Sequence, residues 1–249
     1  MKTLKTVYRT LIIGLFVTIA IPASAQSLKL VTENYPPFNM SKSGKASEKK
    51  RSEIIGIATD TVDAMFKKAG IDYTLALGNW KRHYDMALKK PGYGVFSTTR
   101  TDERDPLFKW VGPLVENNWV LFSMKGKEIK ITSLEDAKKY KIGAYTGDAF
   151  TNFLIEQGFK LHLTRNDAMN AKKLQGGRID LWASGHLLGP YNAKKENVSG
   201  LKSVFVVKET VMSLALNKAV SDDVVEKLNN ALKALKTDGT IKAIETNYR

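Results

Sequence analysis

The sequence predicts an α/β protein with two lobes and a ligand cleft between them. Short apolar runs alternate with amphipathic segments along most of the chain, which is the pattern of parallel strands joined by crossover helices. The order of helix, glycine turn, apolar strand and polar loop occurs twice, at 86–99 and at 168–185. With 249 residues, of which 43% are hydrophobic, the chain is long enough to bury one large core or two smaller ones.

The first 25 residues have the three parts of a secretory signal peptide. Lys2, Lys5 and Arg9 precede an apolar run at 11–21, and the small residues at 23–25 form a cleavage site. The apolar run is short for a membrane span, so an uncleaved anchor is the weaker alternative. We therefore expect export and cleavage, which lowers the formal net charge of +14 by three.

The absence of cysteine narrows the chemistry. It excludes disulfides, cysteine metal sites, thiol nucleophiles and a lipid anchor on an N-terminal cysteine, so we expect a free periplasmic protein. His83, His162 and His186 lack the paired spacing of a zinc site, and no hydrolase or phosphate-loop motif is present. We expect no cofactor, no metal and no catalytic residue. The basic run at 49–51 lacks interleaved aromatic residues, so we expect no nucleic-acid partner.

The first half of the chain predicts three strands and two helices. Thr59 is a plausible N-cap and Gly70 a stop for the first helix, while Asn79 caps the second. The predicted strands are 28–32, 71–77 and 95–97, and the predicted helices are 58–69 and 79–89.

The second half repeats this logic. The predicted strands are 119–123, 141–144, 160–163, 179–183 and 211–216, and the predicted helices are a short one after 132–135 and longer ones at 148–157, 167–175, 222–236 and 240–248. Open α/β sheets bind ligands beyond the carboxyl ends of their strands. The polar loops after Phe96 and Ala183 are such ends, so we expect them to face the cleft.

Several short motifs occur in order along the mature chain. They are Glu33-Asn34-Tyr35-Pro36-Pro37-Phe38, Ile55-Gly56-Ile57-Ala58-Thr59-Asp60, Ser97-Thr98-Thr99-Arg100-Thr101-Asp102-Glu103-Arg104 and Leu235-Lys236-Thr237-Asp238-Gly239-Thr240. The ordered set resembles the periplasmic solute-binding proteins of family 3, which deliver polar amino acids to ABC importers. The resemblance implies a two-lobed periplasmic-binding-protein-like fold of type II, with residues 26–115 and 211–249 in lobe 1 and residues 116–210 in lobe 2.

Arg104 is the expected anchor for a ligand carboxylate. Its planar guanidinium pairs bidentately with carboxylates, and the hydroxyls of Ser97 and Thr99 lie on the same segment. The resemblance implies that Arg104 holds the ligand's carboxylate and that the two hydroxyl residues touch the ligand. The alternative is a surface ion pair of Arg104 with Asp102 or Asp105.

Aromatic residues predict one wall of the pocket. Tyr35, Phe38 and Trp80 are candidates to stack on the ligand, although Phe38 is equally suited to core packing. Arg100 is either a second anchor or a surface charge.

In the second lobe, Asp148 and Ala149 open a helix whose backbone N–H groups, by resemblance, contact the ligand. A carboxylate at that position more often caps its own helix. Trp182, with His186, is a candidate for a pocket wall, while His186 alone is more often a capping or surface histidine.

The largest departure from the family is Gly185, which stands where amino-acid binders place an aspartate that pairs with the ligand's ammonium. An unpaired buried ammonium is costly, so carbonyl groups, Glu33 or Asp148 would have to replace that carboxylate.

We therefore expect an exported, monomeric protein that captures a small carboxylate-bearing ligand, an amino acid or a similar molecule, by hinge closure. Its expected partner is a membrane ABC permease, which it contacts transiently. The alternatives are an enzyme on the same scaffold, a dehydratase of a small cyclic carboxylate, and a sensing module for a membrane receptor.

Overall fold

The structure, a computed structural model, describes residues 27–248. These residues form twelve strands and seven α-helices. The strands are β1 (Leu28–Glu33), β2 (Met40–Ser41), β3 (Ile54–Ile55), β4 (Tyr73–Gly78), β5 (Tyr93–Thr99), β6 (Lys109–Glu116), β7 (Trp119–Met124), β8 (Ile142–Tyr145), β9 (Leu161–Thr164), β10 (Leu181–Gly185), β11 (Leu201–Lys208) and β12 (Val211–Leu216). The helices are α1 (Ile57–Ala69), α2 (Trp80–Lys89), α3 (Ala149–Glu156), α4 (Ala168–Gln175), α5 (Leu188–Lys195), α6 (Asp222–Thr237) and α7 (Thr240–Thr246).

The first sheet has the order β4-β1-β5-β12-β6. Strands β4, β1 and β5 are parallel, whereas β12 runs antiparallel to both of its neighbours. Helices α1, α6 and α7 bury their apolar faces on one side of the sheet, and α2 covers part of the other side. We call this sheet and its helices the first lobe. Its parallel strands bring the carboxyl end of β1, at Glu33, to the edge that faces the second sheet.

The second sheet has the order β11-β7-β10-β8-β9, and we call it and its helices the second lobe. Helix α3 packs on one side of it, while α4 and α5 pack on the other. The chain crosses between the sheets at 117–118 and at 209–210. The two crossings are bonded to each other, because Asn117 N–H donates to the Thr210 carbonyl at 2.8 Å and Thr210 N–H donates to Asn118 Oδ1 at 3.2 Å.

Of two helix caps predicted from the sequence, one is correct and one is wrong. The predicted cap Asn79 is confirmed, since its side chain accepts the Arg82 N–H at 3.0 Å. The predicted cap Thr59 is wrong, because α1 begins at Ile57 and its first N–H groups donate to carbonyls of the loop after β1. A Cβ at the preceding Gly56, where φ is 134°, would lie 2.3 Å from the Phe38 carbonyl oxygen, so only glycine fits this approach.

Other segments differ from expectation. The segment after 132 forms a 3₁₀ helix, Glu135–Lys139, because Asp136 takes the capping contacts from Thr132 and Ser133. Strands β6 and β11 and helix α5 were not predicted, and β11 is only partly buried. Within residues 27–248, no helix has the length and apolar character needed to cross a membrane.

Candidate functional site

A cavity of about 1090 Å³ lies between the lobes. Glu33, Tyr35 and Trp80 line it from the first lobe. Tyr145 and Asp167 line it from the second lobe. The expected placement of Tyr35 and Trp80 in the cleft therefore agrees with the geometry of this cavity.

Glu33 sits at the carboxyl end of β1 and connects the lobes. The Tyr145 hydroxyl donates to Glu33 Oε2 at 3.1 Å across the cleft. Burial and, to a lesser extent, the neighbouring carboxylate of Asp148 raise the pKa of Glu33 to about 8, against the opposing effect of the Tyr145 hydrogen bond. A carboxyl group at this point is therefore easily protonated when no cation is near it.

Asp167 is a second acid in the cavity, and it was not predicted as a site residue. It is 8% exposed and accepts hydrogen bonds from Trp182 Nε1 at 2.8 Å, Ser184 Oγ at 2.9 Å and Asn170 Nδ2 at 3.1 Å. Burial raises its pKa to about 6 despite these three donors. The sequence feature that could have identified Asp167 as a site residue is its position between β9 and α4, a strand-to-helix junction in the second lobe.

Asp148 is the third acid, and it caps α3. Its side chain accepts the Phe150 N–H at 3.1 Å, and the Ala149 N–H also bonds to it, so the capping role is confirmed. Burial raises the pKa of Asp148, while Arg104 lowers it. Ala149 is buried at the start of the same helix.

In the described part of the chain, no three potential ligands are arranged to hold a metal ion.

Arg104 lies at the margin of the cavity. Its guanidinium lies 5.6 Å from the centroid of the Trp80 ring, and its Nη1 donates to the Thr99 carbonyl at 3.3 Å. Within residues 27–248 it forms no ion pair, so the alternative of a surface pair with Asp102 or Asp105 does not hold. The guanidinium keeps further N–H donors for a ligand.

Ser97 and Thr99 are buried beside Arg104 at the end of β5, and none of the three lines the cavity directly. The Ser97 hydroxyl donates to Asn39 Oδ1, and its backbone is left-handed with φ of 58°. Such a conformation is costly for a residue with a Cβ and is held here by surrounding contacts.

Two residues with alternative interpretations have structural roles. Arg100 pairs with Asp105 at the surface and lies over the Trp110 ring, so it is a surface charge. Phe38 is buried in the core of the first lobe and stacks on Tyr35, so it packs the core.

Trp182 does not line the cavity. Its ring is fully buried against Phe122, and its indole N–H holds Asp167 in place. A ring on the inward face of a central strand packs into the core, and the sequence did not distinguish that face from the cleft.

Gly185 has no room for a side chain. A Cβ there would lie 2.5 Å from Oδ1 of Asn117, which is 2% exposed and whose side chain bonds to the Tyr35 hydroxyl. The absence of a carboxylate at this strand end thus follows from the packing of the crossing segment.

Comparison with known proteins agrees with this architecture. The family described as bacterial extracellular solute-binding proteins, family 3, matches residues 28–249. The chain is 22% identical over 217 residues to the L-cystine-binding protein TcyJ of Escherichia coli K12, covering 86% of this chain and 79% of the relative. It is 24% identical over 237 residues to the putative ABC transporter arginine-binding protein 2 of the same strain, covering 90% and 91%.

Among solved structures, an ancestral arginine-binding protein bound to arginine has a similar fold. The TM-score is 0.73 at 24% sequence identity, with 90% of this chain and 98% of that chain covered. The two-lobed α/β fold expected from the sequence is therefore confirmed.

Proposed function

Because the chain belongs to the bacterial extracellular solute-binding proteins of family 3, we propose that it captures an amino acid or a close analogue between its lobes and delivers it to an ABC importer. The curated relatives named above are binding proteins, which supports capture and delivery as the role of this chain.

The convergence of three carboxyl groups at the cleft carries the proposal. Glu33 comes from the first lobe, while Asp148 and Asp167 come from the second. Each of the second-lobe acids raises the pKa of Glu33, so without a ligand Glu33 keeps its proton near neutral pH instead of adding a further negative charge to a poorly solvated space. A ligand ammonium placed among the three groups favours the ionised form of Glu33 and stabilises the closed form. These acids supply the negative charge that Gly185 cannot carry.

The carboxylate end of the ligand belongs near Arg104. One N–H of its guanidinium is occupied by the Thr99 carbonyl, and the others remain to form a bidentate pair with a carboxylate. Trp80 and Tyr35 supply apolar faces to the ligand between these two ends. In this proposal Ser97 and Thr99 complete the set of polar groups that surround the ligand, whereas the Ala149 N–H is taken by Asp148.

Capture proceeds by hinge closure. A ligand shifts the equilibrium between open and closed forms only through contacts that it makes better in the closed form. The acids of the second lobe reach the ligand only when the lobes approach, and so does the Tyr145 hydroxyl that bonds to Glu33.

A thermal-shift series tests the proposal on the protein from residue 26 onward. L-lysine is compared with cadaverine, which lacks the carboxylate, and with hexanoate, which lacks the amino groups; L-arginine and L-cystine extend the series. A bound ligand at 100 times its Kd adds about 2.7 kcal/mol to the free energy of unfolding. We expect stabilisation only by compounds that carry both groups. Stabilisation by hexanoate alone, or by none of the amino acids, contradicts the proposal.

We further propose that residues 1–25, which lie outside the described residues, act as a cleavable signal peptide and that the mature protein is a free periplasmic monomer. The family description as extracellular proteins supports export. Intact-mass analysis of the protein from an osmotic-shock fraction should show a chain that begins at Gln26 and has no lipid.

A second candidate is an enzyme on this scaffold, a dehydratase of a small cyclic carboxylate. The observation that favours it is Glu33, because a cleft carboxyl group whose pKa is raised to about 8 is suited to general acid catalysis. Asp148 and His186 are the other candidates for a general acid or base in the cleft. Asp148 caps α3, His186 accepts the Asn118 N–H at the crossing, and neither lines the cavity. The test is to incubate the protein with small carboxylates that bind to it and to analyse the products. Turnover that Glu33→Gln abolishes would show that the protein is an enzyme.

A further inference from the structure

The cavity continues beyond the amino-acid site along the first sheet. Consecutive residues of β1 and β4 line it, and among them Lys29, Val31 and Glu33 of β1 are register partners of Thr74, Ala76 and Gly78 of β4. Side chains two residues apart on a strand point to the same face, so these six residues belong to one face of the sheet. We call the part of the cavity beyond Glu33 the β4 groove.

Side-chain size explains why the groove exists. The β4 residues on this face are Thr74, Ala76 and Gly78, which are small, and β4 is the edge strand of the sheet. Helix α2 packs mainly over β5 and β1 on this side, and its His83 covers β4 only at Gly78, so the edge strand is most open at the exposed Thr74. His83 and Met86 of α2 form the wall of the groove.

The groove is long and has different charges at its two ends. Lys29 and Glu33 are four residues apart on a parallel strand, which places them about 13 Å apart. Glu33 belongs to the acidic end, where the proposed ammonium lies. The other end is basic: the Lys29 ammonium lies 5.7 Å from the centroid of the Tyr93 ring, and both residues line the cavity. Between the ends, the half-buried Ala76 and Met86 offer apolar surface.

We propose that the ligand is an amino acid extended by an unbranched chain that runs along the β4 groove and ends in an anionic group at Lys29. This inference rests on the proposed function, which supplies the amino-acid head. A cavity of about 1090 Å³ lies at the upper end of the range for drug-sized ligands, so it holds more than a free amino acid. An unbranched chain follows the strand direction from Glu33 to Lys29, and Lys29 favours a terminal carboxylate over a neutral end.

Isothermal titration with three probes tests the inference: L-lysine, Nε-acetyl-L-lysine and Nε-succinyl-L-lysine. The succinyl compound carries a terminal carboxylate at the end of a chain equal to roughly three residues of extended backbone, about 10 Å. The acetyl compound lacks the terminal carboxylate. We expect Nε-succinyl-L-lysine to bind about two- to fivefold more tightly than Nε-acetyl-L-lysine, the size of an exposed ion pair.

Two lysines provide a matched control. Lys29 and Lys90 both lie 5.7 Å from the Tyr93 ring centroid, but only Lys29 lines the cavity. Lys29→Ala should remove the preference for the succinyl probe, whereas Lys90→Ala should retain it. Thr74→Phe, which narrows the groove at an exposed position, should weaken both extended probes relative to L-lysine.

Equal binding of the acetyl and succinyl probes overturns the inference, and so does a preference that Lys29→Ala and Lys90→Ala reduce alike. If L-lysine or L-arginine binds while both extended probes are excluded, the groove is not a subsite and the proposed function stands. If no amino acid and no extended probe binds, the proposed function itself fails.

Discussion

Replacement of Asp167 by asparagine should change how the stability of the free protein depends on pH. Burial holds the pKa of Asp167 at about 6, above its ordinary value of 3.8. Between these values the folded state keeps a proton that the unfolded state has lost, so stability falls as the pH rises through this window and then stays level. At 1.36 kcal/mol per pH unit, the difference corresponds to about 3 kcal/mol. For a chain of this size, that is about 6 to 12 °C in Tm.

Asparagine is well suited to this test because it fits the site. Its Oδ1 accepts from Trp182 and Asn170 as the carboxylate oxygen does, and its amide donates to the Ser184 hydroxyl, which then accepts. The charge is therefore removed while the hydrogen bonds are kept. Glu33 and Asp148 remain in the variant, so its dependence on pH is reduced but not abolished.

The assay is differential scanning fluorimetry of the ligand-free protein between pH 4 and pH 7. The wild-type Tm should fall over this range by about 6 to 12 °C more than the Tm of Asp167→Asn. Asp102→Asn, at an exposed position outside the cavity, should follow the wild type. If Asp167→Asn has the wild-type slope, Asp167 does not carry the unfavourable buried charge and the electrostatic basis of the proposed ammonium site is wrong.

Three further results are expected. Arg104→Ala should weaken binding of an amino-acid ligand by about 2 to 5 kcal/mol in isothermal titration, because it leaves a desolvated carboxylate unpaired; unchanged affinity would rule out Arg104 as the anchor. Tyr145→Phe removes the hydrogen bond to Glu33 and should weaken ligand binding by about 0.5 to 1.5 kcal/mol, with a more open ligand-free form in small-angle scattering. Gly185→Asp should destabilise the fold by about 1 to 3 kcal/mol in denaturant unfolding, since its side chain collides with Asn117; a stable variant would contradict the packing argument.

The sequence predicted much of the fold because its local signals agree with the final contacts. The Asn79 cap and the strands before and after it depend on neighbours in sequence, and these elements form as expected. The start of α1 was misplaced because its first N–H groups bond to a loop about 20 residues earlier in the chain. Strand β11 was missed because both of its faces are partly exposed, so no clear apolar run marks it.

The site was predicted only in part, because some of its residues are positioned by contacts with residues distant in the sequence. Tyr35 and Trp80 follow strand ends of the first lobe and line the cavity, as motif and position indicated. Asp167 was missed because its role depends on Trp182 and Ser184, which lie 15 and 17 residues further along the chain and reach it only in the folded second lobe. The space at Gly185 is likewise set by Asn117, a residue of the crossing segment.

The bonded crossings between the lobes limit how the molecule opens. Asn117 and Asn118 on one crossing are tied to Thr210 on the other by hydrogen bonds in both directions. Twisting either crossing alone would break these bonds, so we expect the two crossings to turn together and the lobes to swing about a single axis. A permease that recognises the outer edges of both lobes would then need to detect only the angle between the two lobes. Any ligand that closes the cleft fully would present the same outer surface, whatever lies inside.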